Sequence, residues 1–173
     1  MNWGVRRLGP WVVVCIASAC TFHASCGNRL NGKKLTKALS AFAKQRLGVE
    51  PDRVECPDDI PLRSGHEFDC TVHVGDLAAP VHVVQTDDSG SVTFGFSQAI
   101  VTAETVQAGL VDRLKSATGV DAAVDCGQRF RLAEPGASFE CVATNPQGQK
   151  LAIPVTVVDK DGNVRFGTPR PVR

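Results

Sequence analysis

The most constraining feature of this 173-residue chain is a pair of cysteines that occurs twice. Cys56 and Cys70 bracket one connector, Cys126 and Cys141 bracket another, and both connectors end in the pattern Gly-x-x-Phe-x-Cys. The features around each pair return in the same order roughly 70 residues later, which indicates an internal duplication. The duplication predicts two similar small units, each built around its own pair of cysteines.

Periodicity predicts one helix and then several strands in the first copy. Apolar residues follow a helical spacing from Lys33 until Gly48, a residue type that commonly ends helices. After Cys56 the apolar period changes to two, which is typical of half-buried strands. Three strands are predicted, at residues 68–74, 81–84 and 92–96. The unit therefore consists of a helix, a connector closed by a disulfide, and an antiparallel β-meander whose apolar face packs on the helix.

The second copy repeats this plan, with a helix between Thr102 and Gly119. The segment PVHVV in the first copy matches PVTVV in the second, and we align the second strands of the two copies on these letters. We therefore predict an α+β fold of two tandem repeats, residues 33–97 and 98–173. The repeats are expected to pack together, because no Gly/Ser-rich linker separates them.

Disulfides are expected to stabilise both units. A unit of this size is only marginally stable with a hydrophobic core alone. A disulfide that closes a loop of about 15 residues contributes roughly 3 kcal/mol in the chain-entropy model. The repeat favours the local pairs Cys56–Cys70 and Cys126–Cys141, although other pairings of the four cysteines are possible. Disulfides of this kind also indicate an oxidising compartment.

The first 26 residues have the organisation of an export signal. Arg6 and Arg7 precede a short apolar run and the small residues 17–19. The run is shorter than the ~20 apolar residues that a membrane-spanning helix needs. A cysteine directly after small residues resembles a bacterial lipobox, in which the thiol carries a diacylglycerol and the chain is cut before it. We predict a signal peptide at residues 1–19, lipidation of Cys20, and an anchor and tether at residues 20–32.

Two alternatives to lipidation of Cys20 remain at this point. A cut before Cys26 would leave one lipidated and four paired cysteines, but His23 lies three residues before that cut and fits poorly. Cleavage after Ala19 without lipid is the other alternative.

Residues 27–48 contain six lysines and arginines and no acid, so this segment would either face solvent or contact anionic headgroups beside an anchor.

The remaining sequence provides few candidates for chemistry. A net charge of +1 argues against a nucleic-acid partner. His73 and His82 on neighbouring predicted strands could meet across a hairpin, but no carboxylate or cysteine accompanies them at a ligand spacing, and Thr156 replaces His82 in the second copy. We interpret them as surface histidines and expect no metal and no cofactor. No nucleophile or phosphate-binding motif occurs, so no catalytic residue is assigned and no enzymatic activity is predicted.

The residues shared by the two copies also resemble an uncharacterised domain family that is common in actinobacterial lipoproteins and envelope proteins. The shared pattern is Val-x-Cys, then Gly-x-x-Phe-x-Cys, then Gly-x-Val-x-Phe, beginning at Val54 and again at Val124. Gly127 stands where the first copy has Pro57. The resemblance implies a fold and a location in the cell envelope, but no activity. A looser architectural likeness is to the secreted β-lactamase inhibitor proteins, which are tandem helix-plus-sheet units that bind an enzyme.

Three functional hypotheses follow. The first is a non-enzymatic protein, anchored by lipid on the extracytoplasmic face of the cell membrane, that binds another envelope component, whether protein, lipid or glycan. The second is an inhibitor or modulator of a secreted or membrane enzyme, and a lipid carrier with an apolar cavity is a related possibility. The third is an enzyme or metal-dependent carrier that uses His73 and His82.

Overall fold

The structure of the protein is a computed structural model that describes residues 29–172. The predicted signal peptide, Cys20 and Cys26 lie outside the described residues. As predicted, the fold is α+β, with two helices, antiparallel sheets and two disulfides, Cys56–Cys70 and Cys126–Cys141. Within the described range, neither helix is long and apolar enough to cross a membrane.

The first repeat contains one helix and a four-stranded antiparallel sheet whose strands follow chain order. Its elements are α1 (Gly32–Leu47), β1 (Arg53–Glu55), β2 (Glu67–Val74), β3 (Leu77–Gln85) and β4 (Val92–Phe96). Asn31 caps the helix by accepting a hydrogen bond from the Lys34 amide at 3.1 Å, and Gly48 ends it with a φ of 72°. The sequence did not predict β1, because three residues are too few to show an alternating pattern.

Helix α1 contributes its apolar side to the core of this repeat. Leu39 and Ala43 are fully buried and share one core with the inward-facing side chains of β2 and β3. The Phe42 ring lies 5.3 Å from the Phe94 ring and 5.0 Å from the Phe96 ring, so α1 also reaches the last strand. The opposite face of the sheet carries mainly polar side chains.

A buried glutamine fixes the connector of the first repeat. Gln85 at the end of β3 is fully buried, and its amide nitrogen donates to the Pro61 carbonyl at 2.8 Å. Its amide oxygen accepts a hydrogen bond from the Arg63 backbone amide at 3.2 Å. These bonds satisfy backbone groups that no strand pairs, which explains why a polar side chain is tolerated in the core. Val157, also buried, has the equivalent position in the second repeat.

The second repeat has the same plan with three additional short strands. Its elements are β5 (Ile100–Thr102), α2 (Ala103–Thr118), β6 (Ala123–Asp125), β7 (Phe130–Leu132), β8 (Ser138–Thr144), β9 (Lys150–Val157), β10 (Val164–Phe166) and β11 (Arg170–Pro171). Strands β6, β8, β9 and β10 form the main sheet, and β11 also pairs with β9. Thr102 and Gly119 cap α2 at the predicted positions. Strands β5 and β7 form a separate two-stranded sheet. The sequence predicted no strand in either segment.

The register of the two sheets corrects the predicted alignment of the copies. Cys70 on β2 pairs with Val81, whereas Cys141 on β8 pairs with Ile153. The two PVxVV segments are therefore offset by two residues and are not equivalent. A shift of two leaves the inward and outward positions unchanged, so alternation in the sequence could not reveal it. The loop between β8 and β9 spans residues 145–149 and is longer than the two-residue turn between β2 and β3.

The two repeats pack together through β7. Phe130 is only 6% exposed and belongs to the core of the first repeat, although it is part of the second. Leu132 and Ile100, from the same small sheet, pack against this core. The connector between Cys126 and Cys141 therefore does more than close a loop, because it covers part of the neighbouring repeat.

Candidate functional site

An apolar groove opens at the C-terminal end of α2. It has a volume of about 370 Å³ and lies between the end of α2 and the inward-facing side of β8 and β9. Its main apolar walls are Leu114, Val120, Ala143, Leu151 and Pro171. Val120 and Leu151 are 39% and 38% exposed. Concave apolar sites of ~300–1,000 Å³ are typical ligand sites, and exposed apolar patches often mark interaction surfaces.

The first repeat has an equivalent groove, which we call the closed groove because Phe130 packs into its apolar core, although a cleft of about 560 Å³ remains beside this side chain. Counting from the shared cysteines and helix caps, Leu151 corresponds to Ala79 and Val120 corresponds to Val49. Ala79 is fully buried and Val49 is half-buried, whereas both counterparts are exposed. The same place in the fold is thus covered in one repeat and open in the other.

Strand β7 contributes to this difference. Phe130 and Arg129 line the cleft that remains beside Val49 and Leu77, and Phe130 is buried there. The Arg129 guanidinium lies 5.0 Å from the Phe130 ring centroid and pairs with Glu104 at 3.1 Å. The second repeat therefore places Phe130 and Arg129 over the groove of the first. Within residues 29–172, the groove of the second repeat has no such cover.

The rims of the two grooves differ in charge. The rim of the closed groove carries three acidic residues, Glu50, Asp52 and Asp76, facing Arg129. The open groove has one charged lining residue in the described chain, Lys150. Asn145 and Gln149 on the same rim bond to each other, because the Asn145 amide nitrogen donates to the Gln149 side-chain oxygen at 2.7 Å. The open groove therefore has a weakly basic rim.

The two histidines that the sequence singled out lie on the outer face of the first sheet but do not meet. Ala78 lies opposite His73, and Asp69 lies opposite His82, so the two positions are four residues apart along β2, about 13 Å. In the described part of the chain, no three His, Cys, Asp or Glu side chains come together to hold a metal. The equivalent of His82 in the second repeat is Pro154, not Thr156 as the sequence alignment predicted.

Carboxylates do lie beside both histidines, contrary to the sequence prediction. His82 has Nδ1 2.9 Å from Asp69 and Nε2 3.4 Å from Glu67, while His73 has Nε2 3.1 Å from Glu55. The prediction was wrong because strand pairing brings together residues that are distant in sequence. The hydrogen bond that His82 donates to the Asp69 carboxylate raises the pKa of His82 above its ordinary value of 6.5. The result is an exposed acid–imidazole cluster, with a charge that responds to pH.

The groove was missed at the sequence level. Two signals could have pointed to it. Leu151 is an apolar residue at an inward-facing position near the start of a strand, and Phe130 is a large apolar residue within a polar connector. Neither signal identifies a groove without the register, because Phe130 is buried by the other repeat and the surroundings of Leu151 depend on how the strands pair.

Comparison with known protein families places most of the chain in one family. The family described as a domain of unknown function, DUF4333, matches residues 12–90 and again residues 89–162. The second match confirms the tandem repeat. Neither the curated proteins nor the solved structures gave a match. The two family matches cover most of the chain, and the protein therefore belongs to the DUF4333 family, a domain of unknown function.

Proposed function

We propose that this chain is a non-enzymatic protein of the cell envelope that is lipid-anchored at Cys20 and binds another envelope component through its duplicated domain. Each repeat, a helix packed on its own antiparallel meander and closed by one disulfide, is the structural module. The observation that carries the proposal is the open apolar groove at the end of the second repeat. Exposing apolar side chains such as Leu151 costs stability, and an interaction surface accounts for that cost.

The anchor part of the proposal comes from the sequence and is consistent with the surface of α1. Lys33, Lys34 and Lys37 are exposed on the first turns of this helix. The helix begins 12 residues after Cys20, so a lipid on that cysteine would hold these lysines near the membrane surface. Basic residues near a membrane contribute ~1 kcal/mol each by attraction to anionic headgroups.

The groove lies at the other end of the chain from the anchor. Helix α1 begins beside the tether and ends at Leu47, which lines a cleft with Ile100 at the junction of the repeats. Helix α2 begins at that junction and ends at the groove, about 24 Å further along its axis.

Two alternative functions would use other features. A lipid carrier would place an acyl chain in the same groove. An inhibitor or modulator of a secreted or membrane enzyme would use the exposed outer face of the first sheet, where His82, Asp69 and Glu67 cluster. The groove favours the binding role, because its counterpart in the first repeat is occupied by a protein segment.

The anchor is tested by fractionation. Replacement of Cys20 with Ala is expected to move the protein from the membrane fraction to the soluble extracytoplasmic fraction, while Cys26→Ala leaves it in the membrane. Release by Cys26→Ala instead would move the anchor to Cys26. Retention of both single variants and the double variant in the membrane would refute lipid anchoring.

The binding role is tested by site-specific photocrosslinking in intact cells. A photoreactive amino acid at position 151 is expected to capture a discrete partner. The control position is Val158, which is 44% exposed and does not line the groove. Equal labelling from both positions would count against the groove as the binding site.

A further inference from the structure

We propose that the open groove binds an aromatic side chain on a short extended segment of a partner protein, and that acidic or neutral residues flank this side chain. The inference rests on the proposed binding function and specifies the chemistry of its partner. It follows from the way the chain fills the equivalent groove of its own first repeat.

The first step is the shape of the occupant. In the closed groove, the covering element is β7, an extended segment three residues long that presents Phe130. The equivalent walls of the two grooves come from the same elements, namely the end of the helix and the hairpin between the second and third main strands. An occupant of the same shape therefore fits the open groove, where Val120 and Leu151 provide the apolar contact.

The second step is the charge of the occupant. Arg129 lines the same cleft as three carboxylates, whereas Arg131 packs on the Phe139 ring of its own repeat. Within the described residues, the lining of the open groove has Lys150 as its one charged side chain and no carboxylate. An arginine-flanked segment would meet a like charge there, whereas an acidic segment would be attracted. The open groove thus selects against segments such as the chain's own β7.

The third step excludes a second copy docking head to tail. In the first repeat, the segment that corresponds to β7 contains Pro61, which forms an isolated antiparallel β-bridge with Arg29. In that register, Asp59 lies opposite the helix cap Asn31. In the second repeat, Phe130 lies opposite the helix cap Thr102, so Asp59 has the position that corresponds to Phe130. Asp59 is exposed and pairs with Arg29. Burying this charge in an apolar groove would be unfavourable, so a second copy does not dock there in the way that β7 docks on the first repeat.

The experiment appends test segments to the C-terminus of the full chain through a Gly/Ser linker of about eight residues, which provides a high effective concentration. The first segment copies residues 127–133. The second has glutamate in place of both arginines, and the third also has alanine in place of phenylalanine. Groove occupancy is read as an increase in Tm. We expect a rise of about 3 °C or more for the glutamate segment only.

Variants of the groove provide the controls. Leu151→Glu is expected to abolish the Tm increase, whereas Val158→Glu keeps it. Lys150→Glu is expected to reverse the preference, so that the arginine segment becomes the stabilising one. Equal Tm values for all three segments, or an increase that survives Leu151→Glu, would overturn the proposal.

Lipid is distinguished by a separate measurement. The unmodified protein without its lipid is mixed with phosphatidylglycerol-containing vesicles and floated. Binding that is lost in Leu151→Glu would make lipid the occupant, which overturns this inference but leaves the binding function in place. Failure of fractionation and in-cell crosslinking would instead refute the proposed function, whatever the appended segments do.

Discussion

Replacing Phe130 with Ala tests whether the second repeat stabilises the first. Phe130 is 6% exposed and contributes its ring to a core that otherwise belongs to the first repeat. Removing it opens the closed groove to water and exposes neighbouring side chains such as Leu77, which is now 4% exposed. The change also removes the contact between the ring and Arg129.

The expected cost is about 3 kcal/mol. Truncation of a buried phenylalanine typically costs ~3–5 kcal/mol, and the lower end applies because Phe130 lies between two units that can relax separately. For a chain of this length, the loss corresponds to a decrease in Tm of roughly 6–12 °C. Both tryptophans, Trp3 and Trp11, lie in the predicted signal peptide and the chain has no tyrosine, so unfolding in urea is followed by circular dichroism.

A double-mutant cycle separates loss of the interface from general damage to β7. Phe130→Ala and Leu77→Ala lie on different repeats and are expected to show a coupling energy of about 1 kcal/mol or more. Val158→Ala is the control, expected to change stability by less than about 0.5 kcal/mol because Val158 is exposed. A cost below about 1 kcal/mol for Phe130→Ala, with additive behaviour in the cycle, would refute the reasoning.

Three further predictions concern the internal supports of the fold. Gln85→Leu is expected to destabilise by about 2–4 kcal/mol because it leaves the Pro61 carbonyl and Arg63 amide unpaired, whereas the exposed Gln147→Leu has little effect; equal urea midpoints for the two variants would contradict this. Cys126→Ala with Cys141→Ala is expected to cost roughly 3 kcal/mol, and a melting curve identical to that of the parent would show that the disulfide is dispensable. Because the folded state raises the pKa of His82, its contribution is complete below pH 6.5 and is lost as the pH rises through the raised value. The Tm difference between the parent and His82→Gln should therefore shrink from pH 6 to pH 8, and a constant difference would refute the linkage.

The elements of the fold that depend on local pattern were predictable. Alternation located β2 and the C-terminal half of β3, and the caps Thr102 and Gly119 located α2. The repeated cysteine spacing predicted both disulfides. These features depend on residues close together in sequence, so a single chain contains the information needed.

The features that depend on pairing between strands were not predictable. The two-residue offset between the PVxVV segments preserves alternation, and only the partners of the cysteines reveal it. The acidic neighbours of His82 come from a paired strand, and Phe130 is buried by a repeat to which it does not belong. The groove combines all these effects, because its opening depends on which segment lies over which sheet.

The contrast between Asp59 and Phe130 fixes the order in which the two repeats follow each other in the chain. A repeat with an apolar residue opposite its helix cap can come after another repeat in the chain, because that residue packs on the preceding repeat. A repeat with a charged residue at this position can only be the leading repeat of the chain. In longer tandem chains of this family, we therefore expect a charge at this position in the leading repeat and an aliphatic or aromatic residue in every later one. One position would then distinguish the leading repeat from those that follow it, and exchange of the two copies in this chain would bury a carboxylate and expose a phenylalanine to water.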